Sequence, residues 1–318
     1  MIPWRKSSLA VNLLLAVVSG AGFVILLEFG ARALGVRTPL YLGPTLTNCL
    51  QRSPLFAIEF RPGCVGSLFD TPVQTNAVAL RGPELRDDGS TRILAIGDSC
   101  TWGWKVKQNE SYPAQLQVLL DQQAGPGRYQ VLNAGMPGTT SYHGLVYLRE
   151  RGLALQPAIL IAAYGFNDMT TDGDIESELR LASVSKPLLT LDDYLLQRST
   201  VWRGVRLGLF QHERRLDQPP RVSADKYRRN FTEMIELVRR HGAQLVLVDL
   251  TNKAPEQAYP QALAALSREF SVPLVVYDGP RIDVVHPTVP GYGLLARQLL
   301  AVMREQHYLP AALPGTGT

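Results

Sequence analysis

The sequence predicts an α/β fold, a three-layer α/β/α sandwich on a five-stranded parallel sheet, preceded by one N-terminal transmembrane helix. Three observations carry this. From about residue 91 onward, apolar strand-like runs alternate with segments of helical spacing, the pattern of a parallel sheet covered by helices on both faces. The chain opens on an apolar segment from Ser7 to Leu27 that contains no charged residue. At 318 residues it is long enough for one α/β domain of more than ~200 residues with a sizeable core, plus an anchor.

As a helix, Ser7 to Leu27 spans roughly 31 Å at ~1.5 Å per residue, close to the hydrocarbon thickness of a bilayer. Arg5 and Lys6 precede it, while Arg32 and Arg37 follow and weaken the asymmetry. The expected topology is N-terminus inside and the main domain outside. Ala31-Arg-Ala33 leaves a cleaved signal peptide as the alternative, but the apolar run exceeds the usual ~7–15 residues of such segments. A buried core helix is disfavoured by the N-terminal position. We therefore assign residues 1–34 to a signal anchor.

Residues 35–74 contain Pro39, Pro44, Pro54, Pro62 and Pro72 and read as a Pro/Gly-rich stalk that could wrap the domain. Cys49 and Cys64 lie in it. In an oxidising compartment they could close a small loop and leave Cys100 unpaired; two separate thiols are the other reading. The main domain is expected over residues 75–308. Ile93–Ile96 is its first strand, followed by a helix from Pro113 to Asp121. Tyr129–Gly135 is the second, followed by a helix from Ser141 to Leu153. Ala158–Ala163 is the third.

Residues 169–222 then lack strand-like runs and read as an insertion placed to form a lid or substrate wall. It begins acidic (Asp172, Asp174, Glu176, Glu178) and turns basic (Arg198, Arg203, Arg206, Arg214, Arg215, Arg221), with Trp202 and Phe210 among the arginines. A solvated helix face with core aromatics explains this segment, and contact with a sugar, an anionic polymer or a membrane surface is the sharper alternative. The alternation resumes with Tyr227, Phe231, Met234, Ile235 and Val238 at helical spacing. It continues with strand Leu245–Leu250, a helix from Ala262 to Phe270, strand Leu274–Tyr277 and a last helix from about Pro290 to Gln306. Residues 309–318, with two prolines and two glycines, read as a disordered tail. A net charge of +4 and the lack of a nucleic-acid motif argue against nucleic-acid binding.

Candidate chemistry collects at the C-terminal ends of these strands, where open α/β folds bind ligands. Gly97-Asp98-Ser99 follows the first strand directly and offers a hydroxyl. A hydroxyl needs a base, and the base works best when a carboxylate fixes its tautomer. His286, with Asp283 three residues before it, supplies both. The backbone N–H groups of Ser99 and Gly135 and the side-chain NH2 of Asn167 are the expected oxyanion donors. Asp98 and Asp168 are read as structural turn residues.

Five histidines compete for the role of base. His241 suits a helix C-terminus. His212 sits in a charged run and His307 at the end of the last helix. His143 is the rival, because it opens the helix after Gly135-Met-Pro-Gly138. Cys100 is a nucleophile in name only, since its neighbour position turns it inward.

Taken together, Gly97-Asp98-Ser99, Gly135, Asn167 and Asp283-Val-Val-His286, in this order, resemble the SGNH branch of the GDSL-type esterases and lipases. Arg81-Gly-Pro-Glu84, Glu110-Ser-Tyr-Pro113, and His286-Pro287 with Gly291 resemble a membrane-tethered bacterial subgroup. The resemblance spans roughly residues 75 to 306. It implies a flavodoxin-like strand order 2-1-3-4-5 and metal-independent hydrolysis with no cofactor. Trp104-Lys105 departs from the small residues common in relatives and bears on the shape of the acyl pocket.

The expected function is a serine esterase outside the cytoplasmic membrane, periplasmic or at the cell surface. Its expected substrate is a small-molecule or glycan ester, such as the O-acetyl groups of envelope or exported polysaccharides. Acyl transfer to a glycan with the same residues, and a non-catalytic membrane-tethered glycan-binding or assembly protein, are the alternatives. Oligomeric state is not legible.

Overall fold

The computed structural model describes residues 5–36, 49–68, 71–171, 175, 191, 194–195, 198–211, 219–254 and 256–309. The chain divides into two compact units. One comprises Met1–Leu46 with Val184–Arg215, the other Thr47–Ser183 with Leu216–Thr318.

In the first unit, α1 (Arg5–Ala33) is followed in sequence by α6 (Thr200–Gln211), the numbering counting only the described helices. The stretch Leu9–Ala33 has a mean hydropathy of 2.4 and none of it is buried, so α1 is long and apolar enough to cross a membrane. The acidic start of the insertion, Asp172 to Glu178, lies almost entirely outside the described residues, as does the tail from residue 310.

The second unit is built on β5 (Thr91–Gly97), β6 (Tyr129–Gly135), β7 (Ile159–Ala163), β8 (Gln244–Asp249) and β9 (Leu274–Val276). These strands form one parallel sheet in the order β6-β5-β7-β8-β9. That is the expected five-stranded arrangement. Ile93 and Ala95 of β5 join Ile161 and Val248 against α3 (Tyr112–Ala124) and α9 (Val289–Glu305). Their neighbours Leu94 and Ile96 join Leu160 and Leu247 against α4 (Ser141–Tyr147), α7 (Ala224–Arg240) and α8 (Ala258–Phe270). Both faces of the central strands β5, β7 and β8 are therefore covered, which is why these strands read as largely apolar runs.

The helix expected from Ser141 to Leu153 is regular only to Tyr147. A π-helical turn (Leu148–Gly152) and a 3-10 turn (Leu153–Leu155) finish it, bringing Gln156 to a φ of 52° and the chain into β7. The insertion closes at its base in the second unit, where the N–H groups of Arg221 and Val222 donate to the carbonyls of Thr170 and Asp168 at 2.8 and 3.0 Å.

The segment read as a stalk carries two antiparallel hairpins, β1 (Leu50–Ser53) with β2 (Ala57–Phe60) and β3 (Val65–Leu68) with β4 (Thr71–Gln74). A disulfide joins Cys49 to Cys64 across a separation of 15 residues, and Cys100 is free and buried. A closed loop of this length restricts the unfolded chain by an amount worth about 3 kcal/mol. Reduction is therefore expected to lower the urea midpoint, with any change in the m-value a rise as the unfolded chain is released. An unmoved midpoint after complete reduction would show that the hairpins hold without the crosslink.

Candidate active site

Ser99 opens α2 (Ser99–Trp102) directly after β5, and the Asp98 carboxylate caps this helix by accepting the Cys100 N–H at 2.8 Å. Its Oγ lies 2.8 Å from Nε2 of His286. On the other side of the ring, Nδ1 lies 2.8 and 2.9 Å from the two carboxylate oxygens of Asp283. A carboxylate only accepts, so Nδ1 carries the proton and Nε2 is left to accept from Ser99.

The spacing of three residues works because the loop is a tight turn. Asp283 Oδ1 also accepts the N–H groups of Val285 and His286 at 3.0 and 2.9 Å, and the Ile282 N–H donates to the His286 carbonyl at 2.7 Å. Burial raises the Asp283 pKa, but these hydrogen bonds and the His286 ring outweigh it and hold the carboxyl below its ordinary value. Asp283 is thus ionised at neutral pH. Trp104, the residue that departs from the family pattern, stacks on the His286 ring with centroids 5.1 Å apart and planes 19° apart. It braces the imidazole from one side.

One of the expected oxyanion donors is already engaged. The N–H of Gly135 is already given to Asn133 Oδ1 at 3.0 Å, inside the protein. Gly135 is instead a site of close approach, since a Cβ there would lie 2.2 Å from the backbone nitrogen of Trp102. The loop that follows is held on the end of β5, with the Met136 N–H donating to the Gly97 carbonyl at 2.9 Å. Its Pro137 and Gly138, the latter with a φ of 82°, are what positions i+1 and i+2 of a type II turn require. Among the described residues the N–H groups of Gly138 and Ser99 donate to no protein acceptor. Asn167, on α5 (Phe166–Met169), donates through Nδ2 to the Thr139 carbonyl at 3.0 Å and stands 3.4 Å from Asp98 Oδ2. Hydrogen bonds therefore link Asn167 to the turn that carries Gly138 and to the residue before Ser99. The signal for Gly138 in the sequence was the Pro-Gly pair, whose second residue favours a left-handed φ.

The rivals are occupied elsewhere. His143 is 3 % exposed, and its Nδ1 accepts the Thr140 N–H at 3.2 Å. Burial, aided by Arg221, pushes its pKa down to about 3, so it stays neutral and serves the start of α4. Cys100 is buried with Sγ directed at the Val285 carbonyl, and burial pushes its thiol pKa up.

Asp168, read as a turn residue bonding its local backbone, instead accepts from a residue 27 positions away: the Ser141 N–H at 3.0 Å and its hydroxyl at 2.5 Å. Burial raises its pKa to about 7 against those hydrogen bonds. The folded acid then holds its proton more tightly than the unfolded one, which titrates near ~3.9. Its contribution to stability is full below that value and is lost as the pH rises to about 7. Asp168→Asn keeps an acceptor for Ser141 and removes the titration. Between about pH 5 and about pH 7.5 the urea midpoint of the variant is expected to fall less than that of the parent. Equal falls would assign the pH dependence to other groups.

With this geometry in hand, the comparisons decide the family. The model of the GDSL-like lipase/acylhydrolase family matches residues 95–294, more than half of the chain. The chain belongs to that family. As a GDSL-like acylhydrolase it is an ester-hydrolysing enzyme with the fold just described.

Among solved structures, it is similar to the psychrotrophic esterase EstA from Pseudoalteromonas sp. at 15% identity, covering 69% of this chain and 100% of that one, with a TM-score of 0.46. It is also similar to Axe2, an acetyl-xylooligosaccharide esterase from Geobacillus Stearmophilus, at 18% identity, 72% and 100% coverage and a TM-score of 0.46. The lipase/acylhydrolase from Enterococcus faecalis matches at 16% identity, 68% and 96% coverage and a TM-score of 0.45. No curated protein matches the sequence.

Proposed function

We propose that this GDSL-like acylhydrolase is a membrane-anchored serine esterase that cleaves short-acyl esters, such as O-acetyl groups of envelope or exported glycans, outside the cytoplasmic membrane. The hydrogen-bonded series Ser99, His286, Asp283 carries the proposal. Ser99 Oγ attacks the ester carbonyl carbon while Nε2 of His286 takes its proton, and ionised Asp283 stabilises the imidazolium. The N–H groups of Ser99 and Gly138 stabilise the charge that develops on the carbonyl oxygen, joined by the Asn167 amide when the substrate oxygen replaces its long 3.4 Å contact to Asp98. His286 then gives its proton to the departing alcohol oxygen. In the second half a water, deprotonated by His286, attacks the acyl-enzyme, and Ser99 is released with the acid.

A cavity of ≈ 60 Å³ lies beside the Gly138 turn, lined by Met136, Thr139, Phe56, Leu80, His143 and Tyr164; neither Ser99 nor His286 lines it, and the short-acyl part of the reading rests on the extracytoplasmic location instead. The location is supported by α1, by Arg5 and Lys6 ahead of it, and by the Cys49–Cys64 bond, which belongs to oxidising compartments.

The test is a fluorophosphonate probe together with p-nitrophenyl esters of increasing chain length. The expected result is a probe adduct mapped to Ser99 and a kcat/KM that is highest for acetate. No adduct and no turnover would overturn the esterase reading, and a preference for octanoate would overturn the short-acyl one.

A further inference from the structure

Glu28 is the one acidic residue of α1. It sits five residues before the end of α1, about 7.5 Å along the axis, within the last part of the membrane-length stretch. A lone carboxylate there would be costly. Its two oxygens are satisfied instead by the insertion: the Ser199 hydroxyl at 2.8 Å, the Thr200 N–H at 2.9 Å and the Val201 N–H at 3.0 Å. Arg32 adds its Nε to Glu28 at 2.7 Å and an Nη to the Arg198 carbonyl at 2.5 Å.

The first N–H groups of a helix have no partner within it, and a negative charge is favourable there. Glu28 is therefore a cap supplied in trans, fastening the first turn of α6 to the anchor near the end of its span. Ser199 completes the cap from within the insertion by accepting the Trp202 N–H at 2.9 Å. Around this junction the same unit exposes apolar groups, with Leu191 at 54%, Tyr194 at 52% and Val205 at 45%. Arg198 stacks over the Tyr194 ring at 4.4 Å, and the sequence of the segment adds Arg203, Arg206, Arg214 and Arg215. Exposed apolar side chains and an aromatic–arginine pair in the unit that carries the membrane-length helix, in a segment whose sequence is rich in arginine, match the chemistry of the headgroup layer.

We propose that α6 is a second membrane-contacting element, an interfacial helix clamped to the anchor by Glu28 and seated on the anionic headgroups of the same membrane. This rests on the reading of α1 as a membrane anchor. It gives the insertion a role other than the lid or substrate wall expected from its position in the sequence. Because the chain departs for this helix after Thr170 and returns at Arg221, both ends of the insertion leave from beside Asn167.

The experiment uses the full chain in phosphatidylcholine nanodiscs with and without phosphatidylglycerol. An environment-sensitive fluorophore is placed at Val205→Cys, and separately at Leu15→Cys as a marker of the span, with brominated lipid as quencher. The proposal expects quenching at both positions and stronger quenching at 205 when phosphatidylglycerol is present. Quenching at 15 with a water-like, unquenched probe at 205 overturns the proposal and leaves the anchor standing. No quenching at either overturns both, and indifference of position 205 to phosphatidylglycerol overturns the anionic occupant. In a companion measurement, Glu28→Gln should accelerate hydrogen exchange at Thr200 and Val201 by at least about tenfold, with p-nitrophenyl acetate turnover reporting that the catalytic unit is folded. Unchanged exchange would overturn the clamp.

Discussion

His286→Ala is expected to lower kcat for p-nitrophenyl acetate by at least about 10³-fold, and Ser99→Ala by a similar or larger factor. The hydroxyl at neutral pH is a weak nucleophile, and in the proposed mechanism the 2.8 Å contact with Nε2 lets it lose a proton as it attacks. Without the imidazole, the remaining rate comes from the oxyanion donors and from binding. The double variant should fall no further than the worse single one, because the two groups act as a unit. Asp283→Asn should retain the fold and lose about 10²–10⁴-fold, since an amide can steer the imidazole into the wrong tautomer. Circular dichroism checks that each variant is folded. A His286→Ala enzyme within tenfold of the parent would remove His286 from the mechanism, and no other described histidine bonds to Ser99.

Arg81→Met is the substitution with the largest expected effect on stability. Arg81 is 2 % exposed, yet among the described residues it pairs with no carboxylate. Its guanidinium donates to the carbonyls of Trp102 at 2.5 Å, Gly103 at 3.0 Å and Val106 at 3.0 Å, and lies 4.1 Å from the Trp102 ring centroid. These carbonyls end and follow α2, the short helix that Ser99 opens, and a cation is favourable at a helix C-terminus. Burial lowers the Arg81 pKa to about 10, which still leaves it charged at neutral pH.

Methionine fills much of the volume but donates nothing. The Val106 carbonyl is then unpaired, while those of Trp102 and Gly103 keep only the Asn133 amide at 3.3 Å and the Val106 N–H at 3.4 Å; with the buried Trp102 contact also lost, a loss of about 2–4 kcal/mol is expected from urea unfolding of the full chain. Lysine should rescue little, because an ammonium cannot reproduce the planar fork that reaches three carbonyls at once. The probe reactivity of Ser99 should fall with stability, as the same contacts hold α2. A change below about 1 kcal/mol would mean that other donors take over these carbonyls.

The parallel sheet was legible because strands covered on both faces cannot alternate. Ile93–Ile96 and Leu245–Val248 are apolar at every position, and that local fact is enough to mark them. The hairpins over 50–74 were not. Their strands are four residues each, one of them carrying Pro72, and they hold together through pairing and a crosslink between Cys49 and Cys64.

Within the site the same distinction operates. Asp283 and His286 meet through a turn three residues long, so their partnership is written in neighbouring positions. Gly135 and Gly138 look alike in sequence, and what separates them is the Asn133 side chain turning back to occupy one N–H and leaving the other open. Glu28 is the extreme case. As a letter it merely ends an apolar run, while its partners Ser199, Thr200 and Val201 lie some 171 to 173 residues later.

The sequence by itself determined the sheet, the anchor-length helix and the order of Ser99, Asn167 and His286, because each follows from local pattern or from spacing along the chain. Only the tertiary structure decided which glycine N–H is free, which arginine supports α2 and what Glu28 binds, because a hydrogen bond is decided by the group that arrives in space and not by its neighbours in sequence.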